Sequence, residues 1–151
     1  MFEKLILVRH GQCEMEDSRP LTQWGREQIT QTAGRLRQHV DGKTAAIVSS
    51  TFLRARMSAK IIADALGTTF TETNDLKWAL NEQDMFKGFQ VVQAHQERVQ
   101  VLILVVHLEH LEDFPNYYGK QAWGKPLGKF GSIDYGDAVV IDIALQTANL
   151  I

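Results

Sequence analysis

Three short runs of the chain, Leu5–Val8, Ala45–Val48 and Val101–Val106, are apolar at every position rather than at every second one. Successive residues of a strand point to opposite sides of the sheet, so a strand with one wet face alternates apolar and polar side chains. A run without alternation is buried on both faces, as the central strands of a helix-covered sheet are. The sequence between these runs has the other period. Ile29, Ala33, Leu36 and Val40 recur at helical spacing, with Thr22 placed to cap the start and Gly42 just past the end. Phe52, Ala55, Ala59, Ile62 and Leu66 draw a second stripe, closed by Gly67. Strand and helix signals that take turns predict an α/β fold, here a three-layer α/β/α sandwich with a mostly parallel central sheet.

The remaining segments are read on the same terms. "TTFTET" at 68–73 has the β-formers of a short edge strand, the 80s read as loop, and Gln90–Gln100 reads as helix. "AVVIDIAL" at 138–145 alternates like a last strand, while Pro115–Gly136 gathers glycine, proline and aromatics and carries no regular period. A length of 151 residues suits one core rather than two, so a single domain over 1–151 is expected.

Charge and composition exclude several classes of partner. The net charge is −2 and the Lys and Arg residues are scattered, which leaves no basic field for nucleic acid. No run approaches the ~20 apolar residues of a membrane span. The first apolar run is broken at once by Arg9 and His10, too short for a secretory segment, and Cys13 is the only cysteine, so no internal disulfide can form. These features point to the reducing cytoplasm.

In an open α/β sheet, ligands bind beyond the carboxyl ends of the strands, near a switch in strand order. Arg9 and His10 directly follow the first apolar run. Ser49, Ser50 and, one helical turn on, Arg54 follow the second, and His107 follows the third. Arg9, His10, Arg54 and His107 would then converge on one rim as two guanidiniums and two imidazoles with no carboxylate among them. Such a cluster suits an anion. The Arg fork matches phosphate oxygens in pairs, and a neutral imidazole is a competent nucleophile toward phosphorus.

The blocks "RHG" at 9–11, "RPLTQWGREQ" at 19–28, "SSTFLRARMSAKII" at 49–62 and "LVVHLEHL" at 104–111, in that order, resemble the histidine phosphatase superfamily, also called phosphoglycerate-mutase-like. The short phosphohistidine phosphatases of that superfamily are the most similar in pattern. The resemblance implies that His10 becomes a phosphohistidine while Arg9, Arg54 and His107 hold the phosphoryl oxygens. It further implies no metal, no cofactor, and a phosphorylated protein or small phosphomonoester as substrate. Many members carry a general-acid Glu in a Leu-x-Glu setting, which Leu80-Asn81-Glu82 supplies here as Glu82. Two departures from the family pattern are Met57-Ser58 after the second-block Arg, expected to alter packing more than chemistry, and Leu108 where Gly usually follows the late His.

Other readings of the same residues exist. A phosphate-binding module without catalysis would keep both arginines and both histidines. His107 and His110 lie three apart with Glu109, Glu112 and Asp113 nearby, but a zinc site needs a third ligand at recognisable spacing. His39 and His95 read as surface or helix-end residues, Cys13 as a small buried hydrophobe, and Trp24, Trp78 and Trp123 as core or groove wall.

Overall fold

The computed structural model describes residues 1–151. In chain order the elements are β1 (Lys4–Arg9), α1 (Gln23–Val40), β2 (Ala45–Ser50), α2 (Leu53–Leu66), β3 (Thr71–Thr73), a 3₁₀ turn (Asn74–Leu76), α3 (Glu82–His95), β4 (Val101–Val106), α4 (Leu108–Trp123), β5 (Ala138–Asp142) and β6 (Thr147–Leu150). The six strands form one sheet in the order β3-β2-β4-β1-β5-β6. β1 to β4 run parallel, and β5 and β6 add an antiparallel ribbon at one edge.

The fully apolar strands are explained by what covers them. Ile6, Val8, Ile103 and Val105 face one side and pack with Ile29, Leu36, Ala59 and Ile62 of α1 and α2. Leu5, Leu7, Leu102 and Leu104, the alternate residues, face the other side and pack with Val92, Leu111 and Phe114 of α3 and α4. Two core layers therefore flank the sheet, which is the three-layer sandwich. Thr22 caps α1 by accepting from the Gly25 N–H, and Gly67 ends α2 in the left-handed region at φ 71°.

β4 is inserted between β1 and β2, so the chain's third long strand lies between its first two. Register then places Arg9 beside Val106, and Ser49 beside Val105. The carboxyl ends of three strands, distant in sequence, finish side by side. This is the strand-order switch where the sequence reading expected a ligand.

Three expectations are corrected. The 80s are not loop: α3 begins at Glu82, because the Asn81 side chain accepts from the Asp84 N–H and caps it, and the helix ends at His95 rather than 100. Its buried face includes Gly88, where an added Cβ would stand 3.1 Å from the Phe114 ring, so the stripe carries a gap that hides its period. The first part of the stretch without period, Pro115–Trp123, is the second half of α4, and the rest of it to Gly136 has no regular element. Pro115 gives up one helix hydrogen bond, yet it is buried beside Phe114 and Tyr118 in the second core layer. The last strand is a hairpin, β5 and β6, whose outer strand Thr147–Leu150 is mostly exposed and shows no apolar alternation. No helix is long and apolar enough to cross a membrane.

Candidate active site

Arg9 closes β1, and His10 is held where the strand stops by a hydrogen bond from its N–H to the Val106 carbonyl, 3.1 Å. Gly11 then passes so close to α1 that a Cβ on it would lie 2.5 Å from the Gly25 carbonyl oxygen. Its N–H donates to Ser58 Oγ at 3.1 Å, and that hydroxyl donates to the Arg54 carbonyl at 2.8 Å. Ser58, a departure from the family pattern in the sequence, thus ties the His10 loop to α2, the helix that carries Arg54.

His10 is 6% exposed. Its Nδ1 lies 2.8 Å from the Gly11 carbonyl, an oxygen that can only accept, so Nδ1 carries the hydrogen and Nε2 carries the lone pair. Arg54 Nε–H donates to that Nε2 at 3.3 Å. The two contacts select the same tautomer. Burial, and after it the charges of Arg54, Arg9 and Arg19, push the His10 imidazole down to about 4, against the opposing pull of the Gly11 carbonyl. The ring is neutral across the physiological range.

His107 occupies the single residue between β4 and α4. Its ring stands edge-on to His10, centroids 5.4 Å apart, with Nε2 2.9 Å from Ser50 Oγ. Burial and then the neighbouring His10 and His110 push it down to about 2. Arg9 is oriented by donating from Nη1 to the Ile133 carbonyl, 2.9 Å, and its guanidinium lies 4.0 Å from the Tyr135 ring centroid. Arg54 rests over Phe52, 4.5 Å from the ring centroid.

All four residues picked from the strand ends, Arg9, His10, Arg54 and His107, line one cavity of about 280 Å³. Six others join them: Trp78, read from the sequence as core or groove wall, and Arg19, Lys77, Leu108, Glu109 and Tyr135, to which the sequence reading gave no part in this site. Arg19 precedes Pro20 with a backbone in the left-handed region, φ 50°, which turns it off the line of the loop. Lys77 and Trp78 follow the 3₁₀ turn, and Tyr135 comes from the stretch where periodicity gives no signal. Glu109 stands two residues beyond His107, inside a block already singled out, and is the one carboxylate among four cations.

Glu82 is not brought to this cavity. It is the first residue of α3 and lines a separate cleft with Asp113, Tyr117 and Lys120. Asn81 capping winds it into the first helical turn, and the Leu-x-Glu pattern carries no information about that placement. Asp84 is engaged at the same cap, accepting from the Leu80 N–H at 3.1 Å. His110 is buried below His107, ring centroids 5.9 Å apart, with neither ring nitrogen hydrogen-bonded. No group of three or more His, Cys, Asp or Glu is placed to hold a metal ion. Cys13 is buried at 7% exposure, Trp123 packs on Tyr118, and Trp78, half exposed, stands edge-on to Phe52 on the cavity wall.

A family model for the histidine phosphatase superfamily (branch 1) matches residues 5–103. Among solved structures, the protein histidine phosphatase SixA complexed with tungstate superimposes with a TM-score of 0.70 at 18% identity, covering 98% of this chain and 94% of that one. SixA from Agrobacterium tumefaciens gives 0.65 at 17% identity, covering 99% and 95%. A mycobacterial glucosyl-3-phosphoglycerate phosphatase gives 0.66 at 16% identity, covering 99% and 97%. No curated protein matches in sequence. At these identities the structural likeness concerns the fold.

Proposed function

Because this chain belongs to the histidine phosphatase superfamily, we propose that it is a metal-independent phosphatase that passes the phosphoryl group through His10. One observation carries the reading: the lone pair of a buried, neutral imidazole faces a cavity lined by three guanidiniums and a lysine. Neutrality matters because a protonated ring has no electron pair to give. The cations matter because charge on the phosphoryl oxygens must be balanced as phosphorus changes partners.

In the first half-reaction His10 Nε2 bonds to phosphorus as the bond to the leaving group breaks. Arg9 and Arg54 hold phosphoryl oxygens with their forks, Arg19 adds a third cation, and His107 forms the facing wall. Arg54 Nε–H, bonded to Nε2 in the resting site, turns to a phosphoryl oxygen when the lone pair is used. Water then attacks phosphorus, the N–P bond breaks, and the electron pair returns to Nε2. Tungstate, found on SixA, is a tetrahedral oxyanion like phosphate, and this cavity has the charge to take such a group.

The substrate is a phosphorylated protein side chain, phosphohistidine in the first place, or a small phosphomonoester. Hydrolysis is favoured over a mutase reaction, in which the phosphoenzyme must be shielded from water between its two half-reactions. Release of p-nitrophenol from p-nitrophenyl phosphate tests the reading. The wild type should turn over and His10→Ala should lose essentially all of that turnover. Tight phosphate binding by the wild type without turnover would instead make the chain a phosphate-binding module.

A further inference from the structure

The cavity around His10 holds three arginines and a lysine but also one acid, Glu109. A site built only to bind a dianion gains nothing from a carboxylate, which repels the phosphoryl group and weakens its hold. Glu109 takes part in none of the four ion pairs of the structure and accepts no hydrogen bond from a side chain or backbone group. It is partly buried in the first turn of α4, two residues beyond His107, and its charge is felt at Arg54. The carboxylate is therefore held at the reaction cavity without a structural partner to explain it.

Resting on the phosphatase reading above, we infer that Glu109 is the general acid–base of the reaction, the role that the sequence pattern gave to Glu82. In the first half-reaction the His10 Nε2–P bond forms, the P–O bond to the leaving group breaks, and the Glu109 carboxyl proton goes to the departing oxygen. In the second, the Glu109 carboxylate takes a proton from the attacking water as its oxygen bonds to phosphorus and the N–P bond breaks. Each turn restores the carboxyl and the neutral imidazole. A site so equipped handles phosphomonoesters whose alkoxide leaving groups are too basic to depart unprotonated. The substrate class thereby includes alkyl phosphates as well as phosphoramidates.

Glu109→Gln keeps the shape and removes the exchangeable acid. The test compares kcat/KM, which reports the first half-reaction, for p-nitrophenyl phosphate, phenyl phosphate and an alkyl phosphate. In Glu109→Gln the ratio of alkyl to p-nitrophenyl kcat/KM should fall by ~10²-fold or more, because only the poor leaving group needs the proton. With p-nitrophenyl phosphate, kcat should drop while a burst of p-nitrophenol equal to the enzyme appears, as the phosphoenzyme waits for an unassisted water. A ratio equal to that of the wild type, whether the variant is slowed uniformly or not at all, would overturn the assignment. So would the same fall in Glu82→Gln with none in Glu109→Gln. A wild type inactive on all three esters and on a phosphohistidine peptide would refute the phosphatase reading itself, a result separate from either.

Discussion

Arg54 Nε stands 3.3 Å from His10 Nε2, the ring nitrogen that bears the lone pair. The same guanidinium thus points at the atom that must attack and lines the cavity where the phosphoryl group would sit. Arg54 is held there by the stack on Phe52 and by Ser58, which joins its carbonyl to the Gly11 N–H. Lysine in its place keeps a charge and loses the fork and the Nε donor. Arg54→Lys should lower kcat/KM on p-nitrophenyl phosphate by more than ~10-fold, about 1.4 kcal/mol of transition-state stabilisation. A variant with a wild-type rate would make Arg54 a rim charge.

The pH profile should show the buried ring. His10, held down to about 4 by burial first and by Arg54, Arg9 and Arg19 next, stays neutral as the solution is acidified through the ordinary histidine range. On p-nitrophenyl phosphate, whose leaving group departs without a proton, kcat/KM should therefore hold from pH 7 to about pH 5 and fall only near pH 4. His107, at about 2, adds no limb in that range. An acid limb centred at the ordinary histidine value of ~6.5 would contradict a buried, neutral nucleophile.

Stability should respond to a third buried imidazole, His110. His110 titrates at about 4 in the fold and at ~6.5 when unfolded, so between those values only the unfolded chain binds the proton. Its contribution is complete above pH 6.5 and is lost as pH falls toward 4. His110→Leu should thus flatten the pH dependence of the urea midpoint by about one proton, ~1.4 kcal/mol per pH unit between pH 6 and 5. It should also stabilise the protein at pH 7 by ~1–3 kcal/mol, because two unpaired buried nitrogens are removed. Destabilisation at pH 7 would show that the ring is satisfied in solution.

Two glycines of α1 should respond with opposite signs. A Cβ at Gly25 would lie 2.0 Å from the Gln12 carbonyl oxygen, a backbone atom that cannot give way without moving the His10 loop. Gly25→Ala should cost ~1–3 kcal/mol and depress activity with it. Gly34 is exposed in the helix interior with open space where a Cβ would go. Gly34→Ala should add ~0.5–1 kcal/mol and leave turnover alone. Urea midpoints of the two variants check both, and equal shifts in the same direction would contradict the packing described.

Legibility in the sequence followed the physics of each element. β1, β2 and β4 were readable because burial on both faces removes polar residues altogether, and α1 because Thr22 and its stripe mark both start and face. α3 was obscured by Gly88, which yields its side-chain space to Phe114, and α4 by Pro115, whose helix-breaking tendency is outweighed by its place in the core. At the site, Arg9, His10 and His107 could be found because each sits at or just past the carboxyl end of an apolar strand run, and Arg54 because it lies one helical turn from another. Arg19, Lys77 and Tyr135 reach the cavity from turns and loops whose path no local pattern encodes. Glu82 shows the converse: a local match to a family motif that the cap of α3 carries into another cleft.

The central claim is a phosphoryl group on His10, and trapping it is the most direct measurement. The protein should be mixed briefly with a phosphoryl donor, quenched in base and digested, and the labelled peptide identified by mass spectrometry. The account predicts an acid-labile, base-stable adduct on the peptide containing His10, with the phosphoryl on the ring and no such adduct in His10→Ala. A label on Cys13 or Ser50, or steady turnover with no adduct on His10 at any time, would contradict it.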